Sequence, residues 1–165
     1  KKNYPSSLIK KAQALCQQMT VVKDSLLAVE AGGVTSMHDA TEGGVLGGLF
    51  EVATASGVGM EIDETKFIYP EEVEMVCSTF QIDPLTAIAE GSLLITINSS
   101  STEKLIRKLD KSGIRASVVG KVTGDVKRRT IQRKDGSTVP LLIPQQDPFW
   151  PAFFRGIEEM QRDKQ

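Results

Sequence analysis

The feature that most narrows the possible folds is a change of hydrophobic period across a glycine-rich bend. Val34 to Met37 reads as a short strand, His38-Asp39-Ala40-Thr41-Glu42-Gly43-Gly44 follows, and then Val45, Leu49 and Val52 share one helical face until Ser56-Gly57 stops it. A strand that turns through two glycines into a helix is one unit of a layered α/β fold. Glycines in a first helical turn cost about 1 kcal/mol each relative to Ala, so they need a reason. One reason is access: without a Cβ, a phosphate can approach the N–H groups at the positive end of the helix dipole. The other is packing, in which the bare backbone lets two segments close on each other. Thr41 is expected at the N-cap, its hydroxyl accepting from the N–H of Gly43 or Gly44. His38, the only histidine, is either a reactive group beside the bend or a plain polar loop residue.

The same reading places the other elements. Leu8, Ala12, Leu15 and Met19 recur at helical spacing behind Pro5, so the chain opens on a helix. Leu26 to Val29 is a short apolar patch before Gly32-Gly33. Val58 to Ile62 alternates as a strand, a helix follows Pro70 on Val73, Val76, Cys77 and Phe80, and Leu93 to Ile97 reads as a largely buried strand. Ser100 and Glu103 form a capping-box pair ahead of Leu105 and Leu109, and Gly113 closes that helix. Ala116 to Val122 is another strand, and Lys134-Asp135-Gly136-Ser137 is a tight turn between two β-like runs. From Thr35 to Val122 the order is strand, helix, strand, extra helix, strand, helix, strand. That is the split β-α-β-β-α-β arrangement related to ferredoxin-like folds, an α/β (α+β) fold with a mixed, mainly antiparallel sheet and flanking helices. At 165 residues, the chain is expected to be one domain over its whole length.

Charge and composition exclude several classes of function. With 20 Lys and Arg against 21 Asp and Glu, the net charge is −1, so no global field draws in nucleic acid or anionic lipid. Lys127-Arg128-Arg129 and Arg133-Lys134 are expected on a solvated face, because no aromatic residues for base stacking stand beside them. The longest apolar runs, such as Leu141 to Ile143, fall far short of the roughly 20 residues that cross a bilayer. The start, KKNYPSS, has no apolar segment behind its basic residues and does not read as a secretory signal. A cytoplasmic protein is expected, with Cys16 and Cys77 as buried thiols on apolar helical stripes and no metal site. Phe149, Trp150, Phe153 and Phe154, with Ile157 and Met160 at helical spacing, suit either the chain's own core or an interface.

The string MHDATEGGVLGGLFEVATASGVGMEID resembles the HDxTxGG segment of the C-terminal domain of the aminoimidazole ribonucleotide (AIR) synthetase superfamily. IDPLTAIAEGSLLITI is similar to that family's DPL…EG segment, and ASVVGKVT resembles its late strand. The branch it resembles most is the hydrogenase expression/formation (maturation) factor of the carbamoyl dehydratase type; selenophosphate synthetase and thiamine monophosphate kinase look more distant. The resemblance implies an N-terminal half, outside this chain, that holds ATP and Mg²⁺ through acidic residues. It implies a C-terminal half of the present kind that closes over the nucleotide, commonly in a homodimer, with maturation proteins as partners. Members use ATP to phosphorylate an acceptor oxygen, which activates the adjoining carbon for attack or dehydration. On this reading His38 and Asp39 are the catalytic candidates, with His38 donating a hydrogen bond or shuttling a proton and Asp39 orienting it or capping the turn. Thr41, Gly43, Gly44, Glu90 and Gly91 are the phosphate- or nucleotide-binding candidates; Glu90 ties the Gly91 loop to the site or is a buried structural carboxylate.

Two departures qualify what the resemblance implies. Glu42 stands where many relatives have arginine, and a carboxylate there competes with phosphate for the helix terminus. The maturation factor proper ends in a reactive cysteine, whereas this sequence ends QRDKQ with its cysteines elsewhere. With no acidic cluster and no GxxxxGK[ST] loop, the 165 residues alone are expected to be catalytically silent. The other reading from the sequence is a non-catalytic binding or assembly module of the same fold, or a biosynthetic member of the superfamily.

Overall fold

The computed structural model describes residues 4–162. In chain order its elements are α1 (Ser6–Ala14) with a 3-10 turn (Leu15–Gln18), α2 (Val22–Ala31), β1 (Val34–Ala40), α3 (Gly44–Ala55), β2 (Gly59–Asp63) and α4 (Glu71–Phe80). They continue with β3 (Ser92–Ile97), α5 (Ser99–Lys111), β4 (Gly120–Thr123), β5 (Arg129–Gln132), β6 (Thr138–Pro140) and α6 (Phe149–Arg162). This is the mixed α/β architecture expected, with a particular division of its strands. β1 and β3 form a two-stranded antiparallel ribbon, and β4-β2-β5-β6 form a four-stranded mixed sheet in which β2 and β5 run parallel.

The division follows from α3, which buries Leu46, Leu49, Val52 and Ala53 together with the glycines Gly44, Gly47 and Gly48. A helix this apolar around its circumference needs a partner on more than one side. Its leucine and valine face packs on Met60 and Ile62 of β2 and Ile131 of β5, with Leu85 and Leu141 closing the cluster. Its glycine face lies against the ribbon, where a Cβ at Gly48 would stand 2.8 Å from Leu94 Cδ1 and 3.6 Å from the Ala40 Cβ. The ribbon's opposite side, through Val34, Ile95 and Ile97, meets a second core of Ala28 and Ala31 from α2 and Leu105 and Leu109 from α5. Side chains alternate across a strand, so one ribbon serves two cores.

Local expectations fare unevenly. The apolar patch at Leu26 to Val29 belongs to a ten-residue helix, α2, which exposes Leu26 and Val29, buries Ala28 and Ala31 and packs Leu27 against the core. The capping box at Ser100 does not form: α5 starts after Asn98 and has no side-chain cap bond. Cys16 is exposed, because the opening helix tightens into its 3-10 turn there; Cys77 is buried, and both thiols are free. The Asp-Gly turn does join antiparallel β5 and β6, with Gly136 at φ 85° and Asp135 accepting the Ser137 N–H. Arg129, expected with the solvated basic run, turns inward. Its guanidinium donates to the carbonyls of Val58 and Ala53 and to the Thr54 hydroxyl at 2.9–3.0 Å, tying the last turn of α3 to the residue before β2. The last three residues lie outside the described range.

Candidate functional site

The two motif segments meet. The loop between α4 and β3 carries Asp83, Leu85, Ala87, Glu90 and Gly91, and it is laced to the bend before α3 by backbone bonds. Leu46 N–H donates to the Leu85 carbonyl at 3.0 Å, and Ala89 N–H donates to the Thr41 carbonyl at 3.3 Å. Asp83 shapes its own loop by accepting the Leu85 N–H. A Cβ on Gly44 would lie 2.6 Å from both the Leu85 and Ala87 carbonyl oxygens, and the backbone there has φ +64°. Close packing, the second reason open to these glycines, explains Gly44.

The amides of Gly43, Gly44, Leu46 and Gly47 are engaged. Gly43 itself is the N-cap of α3, in the left-handed region at φ 79°, and no side chain caps the helix from the cap position. Thr41 therefore does not cap through its hydroxyl; its carbonyl accepts from Gly44 at 3.0 Å instead. Gly47 donates to the Gly43 carbonyl at 3.0 Å. The Gly43 N–H is taken by the carboxylate of Asp147, at 2.9 Å, from the segment linking β6 to α6. Asp147 is only 7% exposed, and its other oxygen accepts the Phe149 N–H at 2.8 Å, capping α6. Pro144, from the same segment, covers the bend at 3.7–3.8 Å from the positions a Cβ would take on Gly43 and Gly47. Glu42, the residue expected to compete with an anion, is exposed; the carboxylate at the helix terminus comes instead from Asp147.

His38 sits on β1 opposite Leu94 of β3, facing the middle of α3. Its Nε2 lies 2.8 Å from Glu51 Oε2, and its Nδ1 is 4.0 Å from Asp39 Oδ1. An ionised carboxylate only accepts, so Nε2 carries the shared proton and Nδ1 is the nitrogen left to take up or release one. The imidazole is one-third exposed, and the absence of a side chain at Gly48 makes room for it. Glu51 lies seven residues beyond Gly44, about 10 Å along a helix axis. The structure thus joins His38 to Glu51 and separates its ring from the glycine bend. Glu90 is exposed, which excludes a buried structural role, while Gly91, at φ +87°, packs where a Cβ would meet the Gln18 carbonyl at 2.5 Å. Among the described residues no group of three or more His, Cys, Asp or Glu is placed to hold a metal ion.

Two partners in this region, Glu51 and Asp147, escaped the sequence reading. Asp147-Pro148 ahead of a helix is a cap signal in its own right. Its second bond, to Gly43, spans 104 residues and leaves no local trace. Glu51 stands on a helix one turn past the ring it meets, a pairing that only the β1–α3 contact creates.

Residues 4–132 match the family of AIR synthase related proteins, C-terminal domain, and the chain belongs to that family. Within it, the chain is similar to hydrogenase maturation proteins. It is 28% identical over 118 residues to a putative hydrogenase expression/formation protein of Methanocaldococcus jannaschii, covering 65% of this chain and 35% of the relative. It is 33% identical over 92 residues to the carbamoyl dehydratase HypE of Escherichia coli, covering 54% of this chain and 27% of that one. A crystal structure of E. coli HypE matches with a TM-score of 0.67 and 27% identity over 78% of this chain and 40% of HypE. A HypE structure in complex with ATP matches with a TM-score of 0.66 and 26% identity over 74% of this chain and 39% of its own. The chain spans well under half the length of the relatives it matches.

Proposed function

We propose that the chain is the C-terminal domain of an ATP-dependent enzyme of hydrogenase or metallocentre maturation, silent alone and completed by an N-terminal half that supplies the Mg²⁺ ligands. In this reading the γ-phosphoryl group of ATP passes to an amide-like acceptor oxygen. The C–O bond then breaks with phosphate as the leaving group, so the carbon is dehydrated or attacked. His38 Nδ1 accepts or returns the proton, Glu51 and Asp39 hold the ring, and Thr41, Glu90 and Gly91 face the nucleotide, while Gly43 and Gly44, their amides already engaged, shape that surface from behind. Two copies of the joined protein form the working unit, and other maturation proteins deliver and receive the substrate.

The observation that carries this reading is the lacing of the two motif segments, through Leu46–Leu85 and Ala89–Thr41, into one surface. Its support is the matching fold of a HypE structure that holds ATP. The test is ATP turnover by this chain alone and by the chain joined to its N-terminal half. No turnover in the first and turnover in the second, reduced by His38→Ala, is expected. Sustained turnover by the 165 residues alone would contradict it.

A second reading, a non-catalytic assembly module, is favoured by one specific contact: the Asp147 carboxylate occupying the Gly43 amide. If His38→Ala and Gly44→Val leave nucleotide binding of the joined protein unchanged, this reading replaces the first.

A further inference from the structure

The four-stranded sheet ends differently on its two sides. β6 is three residues long and closes on Pro140, which has no N–H to offer a further strand. β4 lies at the other edge, and among the described residues no strand pairs with its outer side. Its register fixes which groups face outward. Asp63 donates to the Val119 carbonyl at 2.8 Å, and bonded residues alternate along an antiparallel pair, so Lys121 also turns its backbone to Glu61 of β2. Gly120 and Val122, opposite Ile62 and Met60, turn theirs away from the sheet. Met60 keeps the same alternation by donating to the Arg128 carbonyl, on the β5 side, at 2.9 Å. Val122 is 48% exposed, and Val118, just ahead of the strand, is 54% exposed.

The charge of this edge has one sign. From Lys111 to Gly124 the chain carries Lys111, Arg115 and Lys121 and no carboxylate. Met60 and Ile62 pack on α3, so Glu61 and the Lys121 opposite it stand on the other, open face of the sheet. A hollow of about 460 Å³ lies there, and its charged residues are Glu61, Asp63, Lys66, Lys121 and Arg128. Glu61 lies deep, at 22% exposure, while Lys121 and Arg128, 3.1 and 2.8 Å from its two oxygens, stand at 69 and 62%. Asp63 is engaged by the N–H and hydroxyl of Thr65. An approaching chain therefore meets positive charge first. Lys121 does not guard the edge as a lysine pointing along it would, because its ammonium is drawn back over the sheet to Glu61. We infer that β4 accepts, as a fifth strand, an extended segment of a partner protein in which acidic and apolar residues alternate. The outward backbone groups of Gly120 and Val122 make the pairing, an acidic side chain lies beside Lys121, and apolar ones lie beside Val122 and Gly120. Gly120 is bare because a Cβ there would collide with the Glu61 carbonyl oxygen, and its bareness leaves the edge open to a large apolar neighbour. Nucleic acid suits the edge less well, since no aromatic residue stands between Lys111 and Gly124 to stack on a base.

The test is a ¹⁵N–¹H titration of the 165-residue chain with a synthetic peptide that alternates Glu and Val between terminal prolines, beside a control peptide with Lys in place of each Glu. The Glu peptide is expected to give saturable shifts at Gly120 to Thr123 and to slow hydrogen exchange at the Gly120 and Val122 amides. The Lys peptide is expected to do neither. Val122→Pro removes an outward donor and leaves the β2–β4 bonds in place, so binding should be lost while the circular dichroism of the fold is retained. Lys121→Gln changes an exposed side chain and should weaken binding about three- to fivefold and flatten its salt dependence, which decides the matter even if the proline variant fails to fold. No saturable shift, equal binding of the two peptides, or shifts that fall outside β4 overturn the inference. So does a folded Val122→Pro chain or a Lys121→Gln chain that binds as the wild type does, or a stronger response of the same residues to an RNA oligonucleotide or to anionic vesicles. ATP and the N-terminal half take no part, so the result stands apart from the proposed activity.

Discussion

Gly43 and Asp147 stand 104 residues apart and share one hydrogen bond: the carboxylate accepts the amide at 2.9 Å, and with its other oxygen it starts α6. One side chain therefore closes the glycine bend and orients the C-terminal helix. Asp147→Ala removes a cap and strands a half-buried N–H, at a cost of about 2–3 kcal/mol. The melting temperature should fall by about 5–10 °C, with Asp147→Asn losing about half as much, since the amide oxygen still accepts. Unchanged unfolding curves for Asp147→Ala would show that the contact is dispensable.

The glycines of α3 and α6 should respond in opposite directions to the same substitution. Gly44→Ala drives a Cβ into two carbonyl oxygens at a positive φ and should cost more than about 3 kcal/mol. Gly156→Ala meets nothing within 4 Å and should stabilise by about 0.5–1 kcal/mol through helix propensity. Urea denaturation of the two variants measures both signs.

Arg129 ties the last turn of α3 to Val58, with three donors on three acceptors. Arg129→Met removes every donor and the guanidinium that lies 5.8 Å over the Phe50 ring, so about 2–3 kcal/mol of stability should go. Arg128→Met is the control; its guanidinium pairs with Glu61 from a side chain 62% exposed, where an ion pair is worth less.

The two thiols should separate chemically. Burial, and then the charge of Asp83, push the Cys77 thiol above its ordinary range, while Cys16 is exposed. Iodoacetamide at pH 8 should modify Cys16 and spare Cys77 until the chain unfolds, as read by mass spectrometry. The folded chain keeps the Cys77 proton at pH values where the unfolded chain loses it. The thiol's contribution is therefore full below the unfolded pKa and is lost as pH rises through the folded one.

How much of this was legible in the sequence depends on how far apart the partners lie. The period of Val45, Leu49 and Val52 gives α3, and the Asp135-Gly136 pair gives the β5–β6 turn, because the cause sits within a few residues. α2 was hidden because its fully buried residues are two alanines, while Val22, Leu26 and Val29 face outward. The division of the strands into two groups comes from α3 being apolar on both sides, a property its composition carries but a strand order does not. At the site, the meeting of the two motif segments followed from the family resemblance. The plug on Gly43 did not, because an aspartate before a helix announces one bond and says nothing about the oxygen left over.

The most direct measurement is the ¹⁵N–¹H resonance of Gly43 while phosphate or Mg-ATP is added to the labelled chain. The account predicts a wild-type Gly43 signal that stays in place, and in Asp147→Ala a signal that moves with added anion because the amide has been uncovered. A saturable shift at Gly43 and Gly44 in the wild type, with Asp147 intact, would contradict it.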